Sequence, residues 1–349
     1  MKAGESISRT DASRVSGSQA APLLEVNNLV TRYPVRRGMI GALRRTPRQF
    51  VHAVEGVSFT VRRGEMLALV GESGCGKTTT AQTVLRLVDP TSGSIRFRGE
   101  DITSRQQSDL RALRRKMQMI YQDPYESLDP RFRVLATVEE PMQVHGVGGS
   151  RAGRRERAID ALARAGLTPL ELYLDRYAHE LSGCQRQRLA IAASLVLDPE
   201  LLVADEPVSM LDVSVRAGVL SLLDRLRREA GLGILIITHD LSTAAHYADR
   251  IAVMYLGRIV EEGPARQVVR NPLHPYTKAL LSVVPDRDPR RRRTPEILRG
   301  ETPNPVNVPA GCRFHPRCPV AQDRCRTIDP ELHPPAEGDP AHQAACVLV

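Results

Sequence analysis

The segment MLALVGESGCGKTTTAQTVLRLV (66–88) combines a short apolar run, a glycine-rich loop and a helical pattern in direct succession. The first five residues are all apolar, which is typical of a strand buried on both faces of a parallel sheet. The loop matches G-x4-G-K-S/T in full, and the order of strand, loop and helix is the context that this motif requires. Glycines let backbone N–H groups turn inward, and the helix start adds partial positive charge. The segment therefore predicts a binding site for phosphate groups.

The residues of this loop are predicted to have different tasks. Lys77 should reach the β- and γ-phosphates of a nucleotide, and the hydroxyl of Thr78 should bind Mg²⁺. Cys75 occupies a variable position of the motif, so we expect no chemical task for its thiol. The candidate nucleotide-binding residues of the loop are Gly71, Glu72, Ser73, Gly74, Cys75, Gly76, Lys77, Thr78 and Thr79.

An acidic pair and two polar side chains follow other predicted strands. Asp205 and Glu206 end the run LLVADE, so that one carboxylate can support Mg²⁺ and the other can polarise an attacking water. His239 and Gln122 end two further strands, at the carboxyl edge where parallel sheets bind ligands. His239 is a candidate for contacting the γ-phosphate, and Gln122 for sensing Mg²⁺ or the water. Tyr33 is a candidate for stacking on an adenine ring.

Together these residues resemble the nucleotide-binding subunits of ABC transporters, over about 23–285 of the chain. Tyr33 matches the adenine-stacking aromatic residue of that family, and 71–78 matches the Walker A loop. Gln122 matches the Q-loop. The run 201–206 matches the Walker B strand with the catalytic glutamate, and His239 matches the switch histidine. The resemblance implies an ATPase that uses ATP and Mg²⁺, with Thr78, Gln122 and Asp205 as the residues that hold the metal.

The run Leu-Ser-Gly-Cys-Gln (181–185) matches the family signature, and Leu-Asp (211–212) matches the D-loop. In this family two ATPase domains meet head to tail, and each ATP lies between one Walker A loop and the other subunit's signature. The resemblance thus assigns Ser182, Gly183, Gln185 and Asp212 to a composite nucleotide site.

Cys184 stands where the usual signature has a second glycine. A side chain at this helix start adds bulk and excludes backbone conformations with φ > 0. Our hypothesis from the sequence is that the ATP site using this signature is weakened, so that the two sites of the dimer are unequal. The alternative is that the change is tolerated, because cysteine is small and Ser182 and Gly183 remain.

The resemblance also implies the architecture. We expect an α/β fold with a P-loop NTPase core of the ABC ATPase type, an antiparallel β subdomain, an inserted helical subdomain and a Cys-rich C-terminal appendage. Strands that alternate with helices indicate a parallel sheet with right-handed crossovers. The predicted parts are a disordered tail (1–21), an ABC ATP-binding domain (22–264) with its helical subdomain at about 123–184, and an extension (265–349).

A closer resemblance lies in NPLHPYTKALLSVVP (271–285) and the Pro- and Cys-rich tail, which are similar to the ATPases of bacterial dipeptide and oligopeptide importers. It implies ATP-driven uptake of peptides across the cytoplasmic membrane. The implied partners are a sister ATPase, in a heterodimer rather than a homodimer, two membrane permeases and, indirectly, an extracytoplasmic substrate-binding protein. The subunit would lie at the cytoplasmic face of the membrane. Nickel importers share parts of this pattern, so a nickel or other small-solute importer remains an alternative.

The tail carries four cysteines in the spacing C-x5-C-x6-C-x20-C. Four thiolates can hold Zn²⁺ or a [4Fe–4S] cluster. Because importer ATPases with similar tails are associated with [4Fe–4S] clusters, we predict such a cluster in preference to zinc or to thiols that bind no metal. His315 and His342 are spare donors. The predicted ligands are Cys312, Cys318, Cys325 and Cys346.

The composition bears on two other function classes. A net charge of +9 is compatible with nucleic acid, and a soluble ABC ATPase acting on nucleic acid or ribosomes is a second hypothesis. The chain has one set of ATPase motifs, no long heptad run and no tryptophan for base stacking, so we expect no nucleic-acid partner. A metal-storage module with a degenerate ATPase is a third hypothesis. Lys77, Asp205, Glu206 and His239 are all present, which argues against it.

Overall fold

The computed structural model describes residues 21–35, 48–284, 298 and 300–349. Residues 1–20 of the predicted N-terminal tail lie outside this part. In chain order the strands are β1 (Leu24–Pro34), β2 (Phe50–Val61), β3 (Met66–Val70), β4 (Ser92–Phe97), β5 (Glu100–Asp101), β6 (Met117–Ile120), β7 (Leu201–Asp205), β8 (Gly233–Thr238), β9 (Arg250–Tyr255), β10 (Arg258–Pro264) and β11 (Gln343–Ala344).

The helices are α1 (Lys77–Val84), α2 (Gln107–Lys116), α3 (Pro124–Ser127), α4 (Val134–His145), α5 (Arg151–Arg164), α6 (Gly183–Leu195), α7 (Val213–Ala230), α8 (Leu241–Tyr247), α9 (Ala265–Arg270) and α10 (Pro275–Ser282). Short 3-10 turns lie at Leu170–Leu172, Ala178–Glu180 and Asp323–Arg326. Helix α2 was not predicted. Five of its ten residues are charged and only Leu110 is buried, so few apolar residues mark it as a helix.

The central sheet has the strand order β11-β10-β9-β3-β8-β7-β6 within the described residues. The five strands from β9 to β6 are parallel, as the alternation of strands and helices predicts, whereas β10 and β11 join antiparallel. Strands β3, β7 and β8 are buried along their whole length, because both faces of the sheet are covered. A second, antiparallel sheet has the order β2-β1-β4-β5.

Strand β3 packs on two different cores through its alternating side chains. Met66, Ala68 and Val70 belong to the core shared with α4, α5 and α6. Leu67 and Leu69 belong to the core shared with the antiparallel sheet and α1. Successive side chains of a strand point to opposite faces, so the phosphate-binding loop leaves a strand that is fixed from both sides.

The segment 300–349 has little regular structure but packs closely on the sheet. Strand β11 pairs with β10, and the backbone N–H of Ala345 donates to the carbonyl of Val260 at 2.8 Å. The ring of Phe314 is 1% exposed and meets the ring of Tyr255 edge-on, with 5.2 Å between centroids. Because it completes a sheet edge and adds buried aromatic area, this segment is bound to the ATPase core rather than tethered to it.

Candidate active site

The loop 71–78 joins β3 to α1 in a conformation that requires glycine. Gly76 has φ 107° and is the N-cap of α1. A Cβ at Gly76 would overlap the carbonyl oxygen of Ala53, and a Cβ at Gly71 would overlap that of Met254. The two glycines therefore allow the loop to lie directly against the neighbouring backbone.

The ammonium group of Lys77 is held over the loop. Its Nζ donates to the carbonyl oxygens of Gly71, at 2.8 Å, and of Glu72, at 2.9 Å. The side chain is buried, with 5% exposure, so its charge acts at short range in a poorly solvated site. The Cys75 thiol lies 3.9 Å from Nζ and is also buried. Burial raises the pKa of this thiol, which agrees with an inert side chain.

Asp205 ends β7 beside Thr78 and has unsatisfied capacity to bind a cation. Burial raises the pKa of its carboxyl group, and the neighbouring charge of Glu206 acts in the same direction, whereas a hydrogen bond from Thr78 lowers it. Among the described residues no group donates a hydrogen bond to its buried Oδ1. A hard divalent cation prefers such carboxylate and hydroxyl oxygens. The residues present therefore fit Mg²⁺.

Gln122, Glu206 and His239 meet at the carboxyl ends of three neighbouring parallel strands. Nε2 of Gln122 donates to Oε2 of Glu206 at 3.3 Å, and Nδ1 of His239 lies 3.2 Å from the same oxygen. Glu206 has φ 43°, a conformation that is uncommon for residues with a side chain. Its N–H donates to the carbonyl of Ile237 at 2.9 Å, which holds this turn against β8. The strained turn aims the carboxylate away from the sheet and towards the loop.

A cleft of about 470 Å³ joins the loop to this group of polar side chains. Ten of the predicted residues line it, and so do three that the sequence did not indicate. Val51 and Ala53 lie on β2, next to the strand that carries Tyr33, and Pro305 comes from the irregular C-terminal segment. The predicted residues that line the cleft are Tyr33, Ser73, Gly74, Gly76, Lys77, Thr78, Thr79, Gln122, Glu206 and His239.

The signature residues lie at the start of α6. Ser182 is the N-cap, its Oγ accepts from the N–H of Gln185, and Oε1 of Gln185 accepts from the N–H of Ser182 at 2.9 Å. Asp212 is the exposed N-cap of α7. A Cβ at Gly183 would lie 3.6 Å from Leu211, so signature and D-loop are neighbours. None of the four predicted residues of this group lines the described cleft.

Cys184 lies in the first turn of α6, where the backbone is helical. The argument that a side chain here excludes a required positive φ is therefore wrong for this residue, because helical φ is negative. Its partly buried side chain packs against the main core. Of the two causes suggested for unequal ATP sites, the bulk of the Cys184 side chain and the exclusion of positive φ, only the bulk remains.

Comparison with known proteins identifies the family. Residues 54–209 match the family model described as ABC transporter, and residues 260–325 match the one described as oligopeptide/dipeptide transporter, C-terminal region. A probable peptide ABC transporter ATP-binding protein of Sinorhizobium fredii is 49% identical over 316 residues, which span 90% of this chain and 88% of the relative. The chain belongs to the ABC transporter ATP-binding proteins.

Two further comparisons extend this result for the ABC ATPase. An oligopeptide transport ATP-binding protein of Bacillus subtilis is 45% identical and is covered to 97% of its length, with 93% of this chain. An ABC cassette solved as a dimer in a post-hydrolysis state, with ADP and Pi, has a TM-score of 0.61 and 28% identity. It covers 70% of this chain and 99% of its own. The predicted P-loop ATPase fold and ATP hydrolysis as the activity are thereby confirmed, with ATP and Mg²⁺ as the expected ligands.

The prediction of a [4Fe–4S] cluster or zinc site is wrong. Across residues 21–35, 48–284, 298 and 300–349, no group of three or more His, Cys, Asp or Glu side chains could hold a metal ion. The four cysteines of the tail instead serve as packing groups: Cys325 and Cys346 are buried, and Cys312 and Cys318 pack against the main core. Burial raises the pKa of Cys312 to about 11.

The two histidines that the sequence offered as spare metal donors have other contacts. His342 pairs with the buried carboxylate of Glu261, and the ring of His315 lies 2.9 Å from the carbonyl oxygen of Cys312. The prediction rested on cysteine spacing and on the resemblance to importer ATPases, and neither separates metal ligands from apolar packing groups. In addition, none of the described helices is both long and apolar enough to cross a membrane.

Proposed function

We propose that this ABC ATPase hydrolyses Mg²⁺-bound ATP in the described cleft and that hydrolysis drives the uptake of dipeptides or oligopeptides across the cytoplasmic membrane. The observation that supports the site is the meeting of Gln122, Glu206 and His239 opposite Lys77 and the Thr78–Asp205 pair. The peptide substrate is supported by the names of the relatives and by the C-terminal family match.

The chemistry follows from the position of each side chain. The loop N–H groups and Lys77 bind the β- and γ-phosphates, and Tyr33 with Pro305 bounds the end of the cleft where the base would lie. Thr78 and Asp205 would hold Mg²⁺, with Gln122 close by, and the ion would supply positive charge that neutralises the phosphate oxygens. Glu206 orients the attacking water.

The polar contacts around Glu206 set its role in the reaction. Gln122 and His239 both contact Oε2, and we assign Oε1 to the water. The water oxygen forms a bond to the γ-phosphorus, the bond from that phosphorus to the β–γ bridging oxygen breaks, and the released proton passes to Glu206 or the phosphate. His239, 58% exposed at the rim, donates to the γ-phosphate when it turns from Glu206.

The second half of each site comes from a partner ATPase. Ser182, Gly183, Gln185 and Asp212 lie outside this chain's cleft, and this placement supports a role on nucleotide held by the other subunit. A head-to-tail pair, with a sister ATPase in preference to a second copy, closes on ATP and reopens after hydrolysis. The pair acts on two permeases at the cytoplasmic face of the membrane, which receive peptide from a substrate-binding protein.

The proposed domain division follows the same scheme. Residues 22–264 form the ATP-binding domain, with a helical subdomain at about 123–184 that contacts the permeases, and 265–349 form the extension. The mutual packing of α4, α5 and α6 supports the subdomain. The pairing of β11 with β10 shows that the extension lies on the edge of the domain's own sheet.

The decisive experiment is ATP hydrolysis and peptide uptake by the assembled transporter in vesicles. We expect Glu206→Gln to lower ATP turnover and uptake by about 100-fold or more while Mg²⁺-ATP still binds, because only the orientation of the water is lost. The matched control is Glu229→Gln, an exposed glutamate on α7, which should leave both rates unchanged.

Two results would contradict the proposal. Normal turnover in Glu206→Gln would remove this residue from the reaction. Uptake of a nickel chelate or another solute, with no uptake of any peptide, would overturn the substrate while leaving the ATPase site in place.

A further inference from the structure

The C-terminal extension forms hydrogen bonds with one residue of the phosphate-binding loop, Glu72. The guanidinium of Arg317 contacts the carboxylate of Glu72 through two bonds, Nη1 to Oε2 at 2.7 Å and Nη2 to Oε1 at 3.1 Å. Oγ1 of Thr302 donates to Oε2 at 2.9 Å. The hydroxyl of Tyr276, in the HPY run noted in the sequence, accepts from the N–H of Glu72 at 2.9 Å. We call Tyr276, Thr302 and Arg317 the loop clamp.

The loop clamp is rigidly built. The side chain of Arg317 is 9% exposed and that of Glu72 is 28% exposed, so the pair is shielded from solvent. Tyr276 is fully buried and packs with Tyr255 and Phe314. A bidentate Arg–carboxylate pair is strongly directional and fixes the orientation of both groups. Burial raises the pKa of Glu72, but the hydrogen bonds from Arg317 and Thr302 and the charges of Arg317 and Lys77 together outweigh it, so the pKa lies below its ordinary value.

Glu72 connects the loop clamp to the phosphate-binding groups. Its carbonyl oxygen accepts the 2.9 Å bond from Nζ of Lys77, so the orientation of its peptide group sets where the ammonium lies. An acidic side chain is also unfavourable in a loop that binds phosphate, because like charges repel at short range. Arg317 resolves this conflict: it turns the carboxylate away from the cleft, which Glu72 does not line, and neutralises it.

We propose that Arg317 is a positioning residue for nucleotide binding: through its contact with Glu72, it sets the affinity of the loop for ATP. This inference rests on the proposed placement of ATP in the cleft and is independent of the transported solute. It gives the HPY run and the segment 300–317 a task in the ATPase cycle in addition to packing.

The test is equilibrium binding of fluorescent mant-ATP with Mg²⁺ to the full chain, together with ATP turnover of the assembled transporter. We expect Arg317→Met to raise Kd and KM about tenfold, as loss of a charge-assisted contact implies, with kcat at saturating ATP unchanged. Arg317→Lys should bind ATP more tightly than Arg317→Met, because lysine restores the positive charge but not the two parallel hydrogen bonds of the guanidinium. Thr302→Val should give a smaller rise in Kd.

A second substitution separates positioning from simple anchoring. If Arg317 acts through Glu72, Glu72→Gln combined with Arg317→Met should bind ATP more tightly than Arg317→Met alone, because the exposed negative charge is removed. The control is Asp329→Asn, which breaks the 2.7 Å ion pair of the extension with Arg258 and leaves the loop clamp intact. It should not change Kd.

Unchanged Kd in Arg317→Met, or losses that add in the double variant, would overturn the inference. An equal loss of affinity in Asp329→Asn would also overturn it, since loosening of the extension would then suffice. Lys77→Ala tests the underlying site separately: if this variant binds mant-ATP like the unmodified chain, the proposed ATP site fails and the inference with it. If only Lys77→Ala loses binding, the site stands and the inference alone fails.

Discussion

At the scale of single residues, polar groups that end parallel strands were the most predictable part of the site. Gln122, Glu206 and His239 follow three strands that are neighbours in the sheet. The side chains of Gln122 and His239 both lie within hydrogen-bond distance of Oε2 of Glu206. The positive φ of Glu206 could not be predicted, because nothing in a glutamate side chain favours it. The partners of Glu72 could not be predicted either, since they come from distant segments that lack periodicity.

Cys184 offers a test of the residue-scale hypothesis on unequal ATP sites. Cys184→Gly should lower the free energy of unfolding by about 1 kcal/mol, because glycine loses more backbone entropy in a helix and a partly buried thiol is removed. We expect the ATP turnover of the assembled transporter to stay the same. Chemical denaturation and a turnover assay measure the two effects. A raised turnover would show that the bulk of the thiol weakens the composite site.

At the scale of elements, strand burial and the parallel arrangement of the central strands followed directly from the sequence, and irregular elements did not. Continuous apolar runs predicted β3, β7 and β8, which are buried throughout. Helix α2 was not predicted because this charged surface helix has few apolar residues that could form an apolar stripe. The path of residues 300–349 was not predicted because single side chains, such as Phe314, hold this segment against the sheet through tertiary contacts.

Helix α10 makes stability depend on pH through its N-cap. Nδ1 of His274 accepts from the N–H of Tyr276 at 3.1 Å, and the ring is 1% exposed. Burial lowers the pKa of His274 from 6.5 to about 4, with Lys278 acting in the same direction and Glu261 opposing both. Between these values the unfolded chain binds a proton that the folded chain does not, so stability is complete above about pH 6.5 and falls as the pH drops towards 4.

We therefore expect His274→Asn, which keeps a cap acceptor but does not titrate, to flatten this fall. The difference between the two proteins should approach about 1.4 kcal/mol per pH unit between pH 6 and 5. Urea denaturation at several pH values measures it. Parallel pH profiles of the two proteins would show that His274 is not the group that titrates.

At the scale of the whole molecule, the extension and the ATPase core form a common interior. Glu261 on β10 is fully buried and pairs with His342 at 2.8 Å, and its other bonds come from the N–H groups of Leu273 and His274. Sequence reasoning placed a boundary at 264 because proline becomes frequent there, although the sheet continues through β11 beyond it. Proline content describes the local stiffness of the chain. The extent of a hydrophobic core depends instead on which distant segments pair with each other.

This common interior predicts a single cooperative unfolding transition. His342→Ala should lower the free energy of unfolding by about 3 kcal/mol, because it removes the side-chain hydrogen-bond partner of a buried carboxylate. His333→Ala is the control, since that ring contacts only the backbone carbonyls of Glu331 and Val349 in the described structure and should cost far less. Calorimetry of the full chain distinguishes the cases. Two separate transitions, with only one of them shifted, would contradict a common interior.

The position of Pro305 has a consequence for pharmacology. This residue forms part of the cleft wall, and its carbonyl oxygen accepts the 2.9 Å bond from the N–H of His52, so the wall is firmly seated. A small molecule that occupied the base end of the cleft and reached Pro305 would therefore contact the C-terminal extension, and this contact would favour binding to cassettes that have such an extension.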